Sequence, residues 1–239
     1  AAQSLCSPRV WPFLAIAAMS AVLLARIELT AIDPVLRPGL FRSRQIAIVS
    51  VLAVGAGMAE ACAVFVPSFA VDTFGVTEST ASFMLVPAVL AGTAATPIIG
   101  LLLDRVGARP IVVGGFFLLS AGLGLLWVAG STRSGFYAAI VLEGLGLAAV
   151  VAAPLRYIVL AEARPAEQGA AQALLSLFMC LGRLVSAAGV GAVATSAGGG
   201  AAGYRAAFLV ILPITGLMAI LALLLRPPRA TIDKLRPAP

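Results

Sequence analysis

Apolar residues in this chain are arranged in seven long runs separated by short polar connectors. A helix needs about 20 mostly apolar residues to cross the hydrocarbon core of a bilayer. Backbone groups in lipid must form their hydrogen bonds internally, and the runs lack the alternation typical of a membrane β-barrel. The sequence therefore predicts an all-α polytopic membrane protein with about seven transmembrane helices. The seven runs are Val10–Ala25, Gln45–Val71, Ala81–Leu103, Ile111–Ala129, Phe136–Ala161, Ala171–Thr195 and Ala206–Leu225.

The composition excludes several other classes of protein. Hydrophobic residues make up 61% and charged residues 11% of the chain, against about 45–50% and about 25% in a soluble domain. So few charged residues cannot cover the surface of a soluble globule. The composition therefore excludes a soluble enzyme and a nucleic-acid-binding protein. The sequence contains no histidine, which removes histidine-ligated metals and a histidine general base. We expect no enzymatic activity, no cofactor and no metal, and we expect Cys62 and Cys180 to be buried within apolar runs.

The basic residues predict the orientation of the chain in the membrane. Of the 16 lysines and arginines, twelve lie in one alternate set of connectors and at the C-terminus. The other set holds Arg9, Arg133 and Arg205, and Arg183 lies within a run. Because cytoplasmic loops carry an excess of basic residues, the C-terminus is expected in the cytoplasm of a cell-membrane protein.

The first connector is the longest and contains Pro34 and Pro38. It indicates a linker between a single span and a six-span bundle. The predicted divisions are a transmembrane span at 1–26, a cytoplasmic linker at 27–44, a six-helix bundle at 45–226 and a cytoplasmic tail at 227–239.

The connector between the third and fourth runs carries a recognisable motif. It contains Gly100, then Asp104 and Arg105, then Gly107 and Arg109. This pattern resembles the signature loop of the major facilitator superfamily, in which the loop joins the second and third spans of a six-span half on the cytoplasmic side. The loop departs from the pattern at Ala108, where the family often has a second basic residue.

The resemblance implies that the loop acts as a latch favouring one of two alternating-access states. Gly107 permits a turn with positive φ, and Gly100 is expected to let neighbouring helices approach. Asp104 is expected to cap a helix or to pair with a basic residue. The alternative is an ordinary short loop whose charges serve only to set the topology.

Beyond the loop, the chain is similar to the C-terminal half of a drug:proton antiporter of this superfamily. The segments 33–37 and 40–42 resemble the approach to that half in the fourteen-span branch, and the segments 168–172 and 181–183 resemble the start of its fifth span. The resemblance implies proton-coupled efflux of drugs or other amphipathic small molecules across a bilayer. It also implies an N-terminal six-span half that is missing from this sequence.

Three ionisable residues lie within the apolar runs, namely Glu60, Glu143 and Arg183. Each costs about 2.5–3.5 kcal/mol on insertion scales, so such residues often mark transport sites. Glu60, among small neighbours, and Glu143 are the predicted proton or substrate sites, because burial favours the neutral form of a carboxyl group. The alternative is a structural pair with Arg183 or with the missing half, and Arg183 is favoured as an internal counter-charge.

Two further functions remain open from the sequence. The same fold supports an uptake permease for a small organic solute, because fold does not determine substrate. The chain is alternatively a non-transporting membrane module or a degenerate remnant.

Overall fold

The computed structural model of the protein describes Met19, Leu23, Arg26 and residues 43–226. This part of the chain is helical and contains no strand. Six helical segments are long and apolar enough to cross a membrane, so the protein is a polytopic all-α membrane protein. They are Arg44–Phe74, Glu78–Val106, Ala108–Ala129, Arg133–Glu162, Pro165–Ser196 and Gly200–Ala222. They confirm the last six predicted runs as helices.

The remaining domain predictions fall largely outside the described residues. Of the predicted span Val10–Ala25, only Met19 and Leu23 are described. Positions 27–42 of the linker and the tail at 227–239 also lie outside the described residues, so this division of the chain stays a prediction.

We number the helices in chain order. They are α1 (Arg44–Phe74), α2 (Glu78–Met84), α3 (Val86–Val106), α4 (Ala108–Ala129), α5 (Arg133–Leu147), α6 (Pro154–Glu162), α7 (Gln168–Ser196) and α8 (Gly200–Ala222). A π-helix, Ala148–Ala152, lies between α5 and α6, and a 3-10 turn, Pro165–Glu167, precedes α7. The ends of the bundle are named here after their turns, the Gly107 end and the Gly130 end.

The helix ends follow from local sequence. Gly75 ends α1 in the left-handed region, at φ 64°, and its N–H donates to the carbonyl of Val71. Thr77 and Thr132 cap α2 and α5, because each hydroxyl accepts a backbone N–H three residues later. Such caps satisfy groups that the first helical turn leaves without a partner.

Two of the spans are interrupted helices. The run Ala81–Leu103 breaks at Leu85 between α2 and α3. In the run Phe136–Ala161, the π-helix separates α5 from α6, which begins at Pro154. Proline has no N–H to donate, so the helix ahead of it loses a backbone hydrogen bond.

Close approach of α1 and α7 forms the most extensive helix contact in the described bundle. A methyl group at Gly57 would collide with the carbonyl oxygen of Met179, and one at Gly182 would collide with that of Val54. Each helix thus contributes a glycine that admits the backbone of the other. A methyl group at Gly100 would meet no atom of a described residue within 4 Å, so its expected role in helix approach stays a prediction.

An aromatic cluster holds the Gly130 end together. The ring of Phe69 on α1 lies 6.4 Å from that of Phe136 on α5 and 5.6 Å from that of Phe208 on α8, measured between centroids. All three side chains are fully buried. Aromatic pairs at such distances add to the stabilisation from burial.

The two described cysteines differ in exposure. Cys62 is buried on α1, as predicted, and its Sγ lies 3.8 Å from the hydroxyl oxygen of Ser186 on α7. Cys180 is exposed, so its predicted burial is wrong. A run that is apolar on all sides does not reveal which face of its helix packs inward.

Polar contacts at the Gly107 end join three helix termini. Glu162, the last residue of α6, forms an ion pair with Arg226 beyond α8, with 3.1 Å between Oε1 and Nη1. Its other carboxylate oxygen accepts a hydrogen bond from Ser43 ahead of α1 at 3.3 Å. The backbone N–H of Arg226 donates to the side-chain oxygen of Gln45 at 3.2 Å.

We expect Glu162→Gln to lower the stability of the full-length protein slightly. The pair is partly exposed, so its loss should cost about 1 kcal/mol or less, which corresponds to a fall in Tm of about 2–4 °C at most. Thermal denaturation in detergent provides the measurement, with Asp104→Asn as the control because Asp104 is exposed and forms no ion pair with a described residue. Equal melting of both variants would contradict a stabilising role for Glu162.

Candidate functional site

Glu60 and Arg183 form an ion pair between α1 and α7. The Nε of Arg183 lies 3.3 Å from the Oε2 of Glu60. The N–H is not directed at that oxygen, which is buried and accepts no hydrogen bond, so the contact is purely an ion pair. The side chains are 46% exposed for Arg183 and 35% for Glu60.

The glycine contacts between α1 and α7 position this pair. Gly57 lies one helical turn before Glu60, and Gly182 directly precedes Arg183. A second link follows one turn later, where the hydroxyl of Ser186 donates to the carbonyl oxygen of Met58 at 2.9 Å. On α7 these contacts lie on both sides of Arg183, whereas on α1 they all precede Glu60.

Glu143 is a buried residue of α5. Only 4% of the residue is exposed. Among the described residues, no hydrogen bond or ion pair reaches its carboxyl group. Gly122 on α4 makes room for it, because a methyl group there would lie 2.9 Å from the Cγ of Glu143. A buried charge without compensation is costly, so a proton or a cationic ligand would offset that cost.

Glu60 and Glu143 line the same cavity. It has a volume of about 610 Å³ and lies between α1, α3, α5 and the π-helix, and the two carboxyl groups are the ionisable groups of its lining. Most of the other lining residues are apolar. They are Ala63, Val66, Leu85, Ala88, Val89, Gly92, Thr93, Thr96, Pro97, Ile140, Gly144, Leu147, Ala148, Val151 and Ala152.

Glycines also shape the wall of the cavity. A methyl group at Gly144 on α5 would collide with the carbonyl of Ala88 on α3, and one at Gly92 would lie 3.0 Å from the carbonyl oxygen of Gly144. The hydroxyl of Thr96 donates to the carbonyl of Gly92 at 2.9 Å, within α3. Sequence reasoning did not identify Thr93 and Thr96, because hydroxyl groups in an apolar run carry no distinctive pattern.

The motif connector is reduced to one residue in the structure. Gly107, at φ 79° and ψ 172°, separates α3 from α4, and its positive φ confirms the predicted conformation. Asp104 and Arg105 are exposed, and no hydrogen bond or ion pair joins either to a described residue. The predicted cap or ion pair of Asp104 is therefore absent from the described part of the chain. Arg109 is partly buried in the first turn of α4.

A second, more polar cavity of about 440 Å³ lies towards the Gly130 end. Asp72 and Glu78 provide its carboxyl groups, and both residues are exposed. Sequence reasoning did not select them, because they flank a turn outside the apolar core. Its other lining residues are Pro67, Ser68, Val71, Ser82 and Tyr204.

Comparison with known proteins places the chain in a family. The family model described as Major Facilitator Superfamily matches residues 47–238. The chain is also 29% identical, over 159 residues, to a Bacillus subtilis (strain 168) protein named uncharacterized MFS-type transporter YfiU. The matched region covers 66% of this chain but only 30% of that relative. Because the family model covers most of its length, the chain belongs to the major facilitator superfamily.

Proposed function

We propose that the full-length protein is a proton-coupled secondary transporter that exports amphipathic organic cations from the cell. The observation that carries the proposal is Glu143, a buried carboxyl group without a partner in the described chain, in a cavity that Glu60 also lines. Intramembrane carboxyl groups that face a cavity are typical of proton relays and of substrate pathways.

The cavity suits a drug-sized amphipathic molecule. Its volume of about 610 Å³ lies within the range of about 300–1,000 Å³ found for small-molecule sites. An apolar lining favours aromatic or aliphatic groups, and two carboxyl groups favour a positive charge. These features support an organic cation as the exported molecule.

The two carboxyl groups suit different tasks. Glu143 is more deeply buried and forms no ion pair with a described residue, which supports a role in carrying the proton. Glu60 is more exposed and already paired with a guanidinium group, which supports a role in binding the cationic substrate. Exchange then follows if protonation of Glu143 and binding of the cation at Glu60 are mutually unfavourable.

The proposal extends to the organisation of the whole protein. We infer a C-terminal half at 45–226, preceded by a span and a cytoplasmic linker and followed by a cytoplasmic tail at 227–239. The excess of arginine at the Gly107 end supports its placement in the cytoplasm. The loop residues Gly100, Asp104, Arg105, Gly107 and Arg109 then face the cytoplasm.

A missing N-terminal half is supported by the surface of the described bundle. The span Glu78–Val106 is the least buried of the six, because only 11% of its most apolar 18-residue stretch is buried inside the bundle. Its exposed residues include Val89, Leu90, Ile98 and Leu101. We propose that a second six-span half covers the cavity from this side. We also propose that the protein belongs to the fourteen-span branch of drug:proton antiporters, which the segments 33–37, 40–42, 168–172 and 181–183 support.

The test is transport by the full-length protein in proteoliposomes. Tetraphenylphosphonium serves as the probe, because it is a lipophilic cation without a titratable group. With an imposed pH gradient, we expect it to be exchanged for protons and concentrated on the acidic side. Movement of the probe that does not respond to the pH gradient would contradict proton coupling. The absence of any protein-dependent movement would contradict export of lipophilic cations.

Glu60→Gln should weaken binding of the same probe. Loss of one charged contact corresponds to about a tenfold rise in Kd or more, and equilibrium dialysis against the purified full-length protein measures it. Glu78→Gln is the matched control, because Glu78 is exposed and lies outside this cavity. An unchanged Kd in Glu60→Gln would exclude Glu60 from the cation site.

A further inference from the structure

We infer that Arg183 is a tethered competitor for the substrate site. Its guanidinium group occupies the carboxylate of Glu60 when the cavity is empty, and an organic cation must displace it in order to bind. The inference rests on the proposed function, since it describes how the same site is regulated.

The inference follows from the position of the Glu60 carboxylate, which lies between the cavity and the guanidinium group of Arg183. Glu60 lines the cavity, and its Oε2 lies 3.3 Å from the Nε of Arg183. Arg183 itself is not part of the cavity lining. The guanidinium and a cation bound in the cavity would therefore compete for the same carboxylate, because each carries a single positive charge.

The backbone around Arg183 is held in place, whereas its side chain is not. Gly182 packs against the carbonyl of Val54, and Ser186 hydrogen-bonds to Met58 across the same helix pair. The side chain of Arg183 is 46% exposed and makes no hydrogen bond to a described residue. Displacement thus needs rotation of one flexible side chain and no shift of the helices.

The strength of the pair is in the range that permits competition. A partly exposed ion pair stabilises a protein weakly, because solvent screens it and ordering the side chains costs entropy. A ligand whose site is occupied for most of the time by an internal group binds with an apparent Kd raised in proportion. Arg183 would therefore weaken cation binding without abolishing it, and it would return to Glu60 as the ligand leaves.

Binding to the full-length protein in lipid nanodiscs provides the test. We expect Arg183→Gln to bind tetraphenylphosphonium about three- to tenfold more tightly than the wild type. Triphenylphosphine oxide, which is neutral and of similar shape, should bind both proteins equally. Arg183→Lys keeps the positive charge and should remain closer to the wild type than Arg183→Gln.

Two controls separate competition at Glu60 from other effects. Arg156→Gln removes an exposed arginine that has no ion pair with a described residue, and it should leave the Kd unchanged. In a Glu60→Gln background, Arg183→Gln should improve binding by less than about twofold, because no carboxylate remains to be released. An equal gain in both backgrounds would overturn the inference, since Arg183 would then act by general repulsion.

Further outcomes also count against the inference. Unchanged or weaker binding of the cation by Arg183→Gln overturns it, as does the absence of cation binding in every variant. Where the Gln variant does not fold, Arg183→Met must show the same gain. The transport assay tests the proposed function separately. If the wild type exchanges protons for the cation while Arg183→Gln has an unchanged Kd, the inference about Arg183 is wrong and the proposed function is retained.

Discussion

In Glu143→Gln, accumulation of tetraphenylphosphonium driven by a pH gradient should fall to the level of protein-free liposomes. Glutamine nearly preserves the volume of the side chain but cannot take up and release a proton at working pH. Gly122 accommodates the side chain closely, so an isosteric change should leave the packing between α4 and α5 intact. Proteoliposomes with an acidic exterior or interior provide the measurement, and binding of the probe reports separately on the cavity.

This prediction distinguishes coupling from simple binding. We expect Glu143→Gln still to bind the probe, because Glu60 keeps its carboxylate. Its Kd should rise by no more than about tenfold, a difference of about 1.4 kcal/mol, because glutamine resembles the neutral form of Glu143 that disfavours the cation. Glu78→Gln, in an exposed acid of the same chain, should transport normally. Undiminished gradient-driven accumulation in Glu143→Gln would exclude Glu143 as the proton carrier.

Gly182→Val should largely prevent recovery of folded protein. The added side chain would collide with the carbonyl of Val54, which is backbone and has no rotamer to change. Overpacking of a core by a flexible side chain already costs about 1–3 kcal/mol, and here the helices themselves must separate. We expect a fall in Tm of about 10 °C or more, measured by thermal denaturation with size-exclusion chromatography of the full-length protein.

Gly189→Val is the matched control for this substitution. Gly189 lies on the same helix, and a methyl group there would meet no atom of a described residue within 4 Å. Gly189→Val changes helix propensity and hydrophobicity in the same way as Gly182→Val. The difference in Tm between the two variants therefore isolates the packing of α1 against α7. Equal stability of the two variants would contradict the close helix approach.

The six helices were predictable because bilayer-spanning length is a property of the sequence itself. Each apolar run from Gln45 onward corresponds to a helical segment. The interruptions were not predictable, since Leu85 has no distinctive local chemistry and the π-helix contains only alanine and valine. Proline alone does not mark a break, because Pro67, Pro97 and Pro213 lie inside continuous helices.

The site was only partly predictable from the sequence. Composition selected Glu60, Glu143 and Arg183, since charges are rare in these runs. It did not indicate that Arg183 lies next to Glu60 while Glu143 has no described partner. That result depends on how each helix is rotated about its axis, and helices that are apolar on all faces carry little rotational signal. Likewise, both Gly100 and Gly182 are glycines within apolar runs, but of these two only Gly182 packs closely against another described helix.

The π-helix at Ala148–Ala152 alters how positions along this span relate to one another. A π-turn takes up one more residue than an α-turn, and each residue of an α-helix turns about 100° around the axis. A helical wheel drawn from Arg133 to Glu162 without allowing for this extra residue would therefore misplace Glu143 relative to α6 by about 100°. Deleting a single residue within the π-helix would restore a uniform wheel, and it would rotate the carboxyl group of Glu143 away from the cavity if α6 stayed in place.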